Sequence, residues 1–350
     1  MLAVIRVHVP FELLLVEGAT YALRSYSKDG YTVRYDLPVR TAPVAAIGKP
    51  NSWEVDTKAA FPANVLTITF QKDHFQRELG SAFDPSSEII NATLGWFLDR
   101  LKFIAKAHQV HSLEFPNCLW QLRYLNDDGT ELPKVEGFVR GRGTTHFGFS
   151  YVLCDPPVWD QLFSLPIEFE PPAWHALLVD ARGALPHVGT AVVLAATALE
   201  VLIASVLEKL APTSAVPPLI WTWINDRGNW QKEPSVEEQF DILLNALCGH
   251  SLKEEPLLWE GMKNLRSVRN AFVHEGVPRL SRKTATPIDV LPLLDRAEQI
   301  ASKIREWLPD EHKWPVLSHS AEIRVGIPLG AHDVPLSQQN SEPPHIETEA

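Results

Sequence analysis

The feature of this 350-residue sequence that most restricts its fold is the run 188–207, in which Glu200 is the only charge. Such a stretch is either a bilayer span or a helix buried on all sides within a helical bundle. The bundle is the better reading, because a bilayer disfavours a central carboxylate, the Ala and Thr content lowers hydrophobicity, and no companion span follows. The chain is therefore expected to build an all-α unit around this helix and to have no membrane partner.

Further segments with helical spacing flank it at 174–182, 235–247, 257–274 and 290–308, giving a helical unit over 172–310. Ser235 with Glu238 forms a capping-box pattern, and Gly276 followed by Pro278 reads as a helix stop. Trp221, Trp223 and Trp230 fall in a loop-like insertion, where they either stack on bases or close a core.

Residues 1–165 read differently. Short β-type runs such as TYALRSYS, YTVRYDLPV, NVLTITFQ and CLWQLRYLNDDG are separated by turn signals, and the first eighteen residues read as strand, not export signal. One helix interrupts them, capped by Ser86 or Ser87, with Ile90, Leu94, Phe97, Leu98, Leu101 and Ile104 on its apolar face. This half is expected to be α+β, mostly β, and to sense or recruit an unknown ligand. Pro156, Pro157, Pro166, Pro171 and Pro172 mark the boundary, since proline is excluded from helix interiors and central strands. The tail 328–350 lacks apolar periodicity and is expected to be disordered.

A net charge of -11 works against indiscriminate nucleic-acid binding, so any such contact must be local. Cys118, Cys154 and Cys248 are too scattered for a disulfide framework or a zinc site, which points to a reducing cytoplasm. His108 and His111 lack partners at ligand spacing, so no metal or other cofactor is expected. The stretch GFVRGRGTTHFGF lacks phosphate-loop spacing and reads as a β-turn.

The segment Leu265 to Gly276 carries the sharpest chemical signal. On a helix, Leu265, Val268 and Phe272 make one apolar stripe and Arg269 falls among them, so its guanidinium is expected to point inward. A buried guanidinium needs a carboxylate, and Glu200, alone on the other apolar helix, is the complement expected within salt-bridge distance. That pair can equally serve only to fix helix register. His274 lies ~140° from Arg269, whereas Asn270 shares the His274 face and could orient it or hydrogen-bond a phosphate, or be a helix-end polar residue without a task. Arg269 and His274 could line one groove if the helix loosens before Gly276 or a second protomer completes a cleft. Lys263, Arg266, Arg279, Arg282 and Lys283 surround the motif as candidate phosphate contacts, or as a solvated surface interleaved with Glu254, Glu260 and Glu275.

Arg269-Asn-Ala-Phe-Val-His274 resembles the R-x4-6-H motif of the HEPN superfamily. AVVLAATALEVLIASVLEKL before it and VLPLLDRAEQIASKIREWL after it keep the family's helix order, most like the Apea-like branch, over 172–310. The resemblance implies an all-α bundle, homodimerisation and, in active members, metal-independent RNA cleavage with the Arg and His at the scissile phosphate. It also implies defence against invading genetic elements; other members are interaction modules without catalysis. Histidine titrates near neutrality and arginine stays charged, so the two types suit proton transfer and phosphate stabilisation.

Overall fold

The computed structural model describes residues 1–39, 52–75, 84–115, 118, 120–132, 151–214, 216–225, 234–315 and 323–326. Expectations for the stretch 137–149, for Trp230 and for the tail 328–350 lie outside them.

The N-terminal region is a sheet wrapped on one long helix. Strand β1 (Leu2–Val16) alternates, with Ala3, Ile5, Val7, Val9, Phe11, Leu13 and Leu15 all buried on one face. That period of two is what a strand with one core-facing side requires. After β2 (Arg24–Lys28), β3 (Tyr31–Val39) and β4 (Ser52–Val55), the long β5 (Lys58–Gln71) pairs antiparallel with β1. β5 also pairs with β4 at its start and β3 at its end.

Register shifts fall between His8 and Leu13 in β1 and between Asp36 and Val39 in β3. Pro10 and Pro38 sit inside those gaps, and each lacks the N–H that a ladder would need. Beyond the first shift β1 changes neighbour, from antiparallel β6 (Trp120–Leu125) to parallel β7 (Tyr151–Leu153).

Helix α1 (Ser87–Ala105) lies against this sheet. The Ser86 hydroxyl accepts from the Ile89 N–H, and the six apolar positions expected on its inner face are all buried. Tyr35 donates to the Thr93 carbonyl at 2.7 Å, tying β3 to the helix.

The boundary prolines do more than interrupt. Pro156 and Pro157 open a helix missed in the sequence, α2 (Pro156–Ser164), capped by the Asp155 carboxylate. Proline is tolerated in the first turn, where its absent N–H has no intrahelical partner to lose. The segment after α2 is gathered around Arg100 of α1, a guanidinium 1% exposed. Arg100 donates to the carbonyls of Leu162, Leu165, Pro166, Ile167 and Phe169 and stacks 4.0 Å from the Trp96 ring.

The C-terminal region is mostly helical: α3 (Ala173–Gly183), α4 (Val188–Leu210), α5 (Pro218–Asn225), then α6 (Val236–Glu238) running through a π turn at Gln239–Leu243 into α7 (Leu244–Cys248). The Ser235–Glu238 capping box forms as expected. Helices α8 (Pro256–Glu275) and α9 (Pro287–Trp307) flank a two-stranded hairpin, β8 (Arg279–Leu280) and β9 (Lys283–Thr284). Trp221 and Trp223, expected in a loop, belong to α5. Thr286 caps α9 and leaves Pro292 inside it, three residues earlier than the expected start.

The stretch Val188–Thr213 is long and apolar enough to cross a membrane, and 56% of its most apolar part is buried in the molecule. Helix α4 within it packs against α3, α8 and α9 among others and contributes thirteen buried residues. The buried apolar residues fall in two clusters, one reaching Leu162 and the other starting at Trp174.

Helix α3 joins the two. Lys102 of α1 pairs with Asp180 at 2.6 Å, while Arg182 reaches Asp295 at 2.6 Å and Glu298 at 2.5 Å on α9. One element crosses back: β10 (Ile323–Gly326), beyond the helices, pairs antiparallel with β4 of the N-terminal sheet.

Candidate functional site

Helix α8 owes its orientation to Leu258, Met262, Leu265 and Val268, a buried stripe at helical spacing. It runs unbroken to Glu275 and ends at Gly276, whose φ of +74 suits glycine and whose N–H returns to the Phe272 carbonyl at 2.8 Å. The helix therefore does not loosen before Gly276, and the backbone alone keeps Arg269 and His274 on different sides.

The Arg269 side chain reduces that separation. It is half-buried, with its Nε enclosed without a hydrogen-bond partner, but the guanidinium does not point inward as expected. Its Nη1 reaches outward and donates to Asn270 Oδ1 at 3.0 Å. The stem is covered and the charged end emerges beside Asn270, one helical turn from exposed His274 on the same face. Arg269, Asn270 and His274 thus form a continuous surface strip along the last turns of α8.

Glu200 does not belong to it. Among the described residues no ion pair joins Glu200 to Arg269, contrary to the expectation from the two apolar helices. The reason is axial register. A Cβ added to Gly189, near the start of α4, would come within 2.2 Å of the Phe272 ring, which fixes the start of α4 beside the end of α8. Glu200 is eleven residues further along α4, about 16 Å down the axis, whereas Arg269 is less than one turn from Phe272. Glu200 is half-buried instead of sealed in the core, so its carboxylate does not require that partner.

Ion pairs sort the five surrounding cations. Lys263 pairs with Glu260 at 2.7 Å, Arg266 with Glu237 at 2.8 Å and Arg279 with Glu275 at 3.2 Å. Glu254 pairs instead with His250. The interleaved surface thus describes three of the five. Arg282 and Lys283 are exposed at the β8–β9 hairpin and join no ion pair among the described residues.

The hairpin turn is unusual. Its two central residues, Ser281 and Arg282, have φ of 49° and 70°. A two-residue turn of this hand calls for Asn-Gly, because the left-handed region costs a residue with a Cβ about 1 to 2 kcal/mol. No spacing rule finds this in the sequence, since Ser-Arg carries no turn signal; Gly276 and Pro278 nearby were the visible cues.

The remaining candidates carry no site. Among the described residues no three His, Cys, Asp or Glu side chains gather to hold a metal. Cys118 and Cys154 are buried and Cys248 is half-buried, all as free thiols, and burial raises the pKa of each.

The chain matches no protein-family model, no curated protein and no solved structure.

Proposed function

We propose that the helical region is a HEPN-type ribonuclease unit that cuts RNA without a metal ion. The observation that carries this reading is the Arg269–Asn270–His274 strip: a guanidinium with a covered stem and an outward Nη on Asn270, which lies one turn from the solvent-facing imidazole of His274. Arginine supplies a permanent charge for phosphate oxygens, and histidine changes protonation near neutral pH.

In the proposed reaction His274 accepts the proton of an RNA 2′-hydroxyl as the 2′ oxygen bonds to phosphorus. The bond to the 5′ oxygen breaks, and that oxygen takes a proton from the imidazolium of a second copy of the chain facing the first. Arg269 stabilises the negative charge that builds on the phosphate oxygens, and Asn270 holds Arg269. The products are a 2′,3′-cyclic phosphate and a 5′-hydroxyl. The reading includes a homodimer, a cytoplasmic setting without cofactor, a role in defence carried over from the resemblance, and an unidentified ligand for the N-terminal region.

Incubating the purified chain with labelled single-stranded RNA in EDTA tests it. Wild type should yield cyclic-phosphate ends, and His274→Ala should lose about 10²- to 10⁴-fold in rate. Cleavage that persists in His274→Ala overturns the assignment.

A second reading is a non-catalytic HEPN scaffold for dimerisation. Val273, next to His274, is 52% exposed, and Ile288 and Leu291 at the start of α9 are exposed as well. Apolar residues at one end of two packed helices suit a self-association face. Loss of dimer in Val273→Asp, with no RNA cleavage by wild type, would select this reading.

A further inference from the structure

The β8–β9 hairpin holds a strained arginine, Arg282, that makes no hydrogen bond or ion pair among the described residues. Its base is firm: Ala285 N–H donates to the Pro278 carbonyl at 2.9 Å, and Leu280 packs against the helical core. Its register is fixed, with Arg279 opposite Thr284 and Leu280 opposite Lys283. Glycine at 282 would adopt the positive φ without strain. Arginine sits there instead, exposed, without a hydrogen bond or ion pair among the described residues to compensate.

The acids nearby are committed elsewhere. Glu275 pairs with Arg279, and Asp289 accepts from the Thr286 hydroxyl at 2.6 Å and the Thr286 N–H at 2.9 Å, which hold its carboxyl below the usual range. Lys283 contributes weakly to that lowering. Two exposed cations therefore lie at this turn, eight and nine residues beyond the exposed His274. A residue that strains the fold with no hydrogen bond or ion pair among the described residues to offset it points to a partner outside it.

We propose that this hairpin is a phosphate clasp, in which Arg282 and Lys283 hold single-stranded RNA against the His274 face of α8. The inference rests on the ribonuclease reading for the nature of its ligand. Guanidinium and ammonium groups recognise phosphate without reading sequence, so the clasp positions the strand and leaves base choice to other contacts. The overall charge of -11 makes such a local device necessary, since the surface as a whole repels a polyanion.

The test uses wild-type full-length chain and fluorescein-labelled, 2′-O-methylated single-stranded RNA, which cannot be cut, titrated at several salt concentrations. Arg282→Gly should weaken binding and reduce the slope of log affinity against log salt by about 0.7, and Arg282→Ala with Lys283→Ala by about 1.4. Arg282→Gly should also raise the thermal midpoint by about 2 to 4 °C, because the strain is relieved. Unchanged affinity and slope in both variants, a lowered midpoint in Arg282→Gly, or no binding by wild type would each overturn the clasp. Cleavage of ordinary RNA is scored separately. A chain that cuts but binds equally well as Arg282→Gly keeps the nuclease and loses the clasp, and one that binds through the hairpin without cutting does the reverse.

Discussion

The Phe272 ring lies so close to the Gly189 backbone that a side chain at 189 would collide with it, the nearest ring carbon being 2.2 Å from a built Cβ. That contact sets the register between α4 and α8 and therefore the position of the strip that follows along α8.

Gly189→Ala should destabilise the chain by about 1 to 3 kcal/mol through overpacking, even though alanine is the better helix former. Adding Phe272→Leu to Gly189→Ala should recover much of the loss. Urea unfolding of the two single variants and the double variant measures the coupling, and strictly additive losses would show that the ring and the glycine do not share space.

Because Glu200 and Arg269 are apart, their deletions should be independent. Glu200→Gln with Arg269→Ala should equal the two single effects within about 0.5 kcal/mol, and Arg269→Ala alone should cost no more than about 1.5 kcal/mol. A larger coupling in a double-mutant cycle would restore the pair that the axial register excludes.

Arg100 has the opposite prospect. Its guanidinium serves five backbone carbonyls inside the molecule, and lysine cannot reach that many from one ammonium. Arg100→Lys should lower stability by at least about 2 kcal/mol, since each buried acceptor left unpaired costs about 1 to 3 kcal/mol. Limited proteolysis should then open the chain near residues 162–169. A variant that remains as resistant as wild type would show that the segment is held by other means.

His175 makes stability depend on pH. Burial lowers its pKa from an ordinary 6.5 to about 4, with Lys106 and Lys102 adding to the effect and Glu298 opposing it. The unfolded chain therefore binds a proton between pH 6.5 and 4 that the folded chain refuses. The stability this provides is present above pH 6.5 and is lost as pH falls toward 4, amounting to about 2 kcal/mol between pH 7 and 5. Burial lowers the pKa of His108 too, with the same sign, so the comparison that isolates His175 is wild type against His175→Leu. Equal pH slopes for the two would refute the assignment.

Much of the architecture was legible in residues. The alternation in β1, the apolar face of α1 and the run that became α4 need only local periodicity, which the backbone obeys wherever one face is buried. Helix α2 was hidden because prolines at its start look like breakers, and α5 because its tryptophans look like an insertion. The site was legible in part. A helical wheel places Arg269 correctly among the apolar positions, yet it carries angles and no axial offset, so it joined Glu200 to Arg269 across about 12 Å of helix. It also gave no hint that the guanidinium would extend to Asn270 or that Ser281 and Arg282 would turn left-handed.

Strand β10 has a consequence for the order of synthesis. Its partner, β4, is made more than 250 residues earlier. A nascent chain must therefore present that rim of the sheet unsatisfied while every helix emerges from the ribosome, exposed to mispairing with neighbouring chains until Ile323–Gly326 arrives. Expression of residues 1–172 by themselves would make that vulnerable interval permanent.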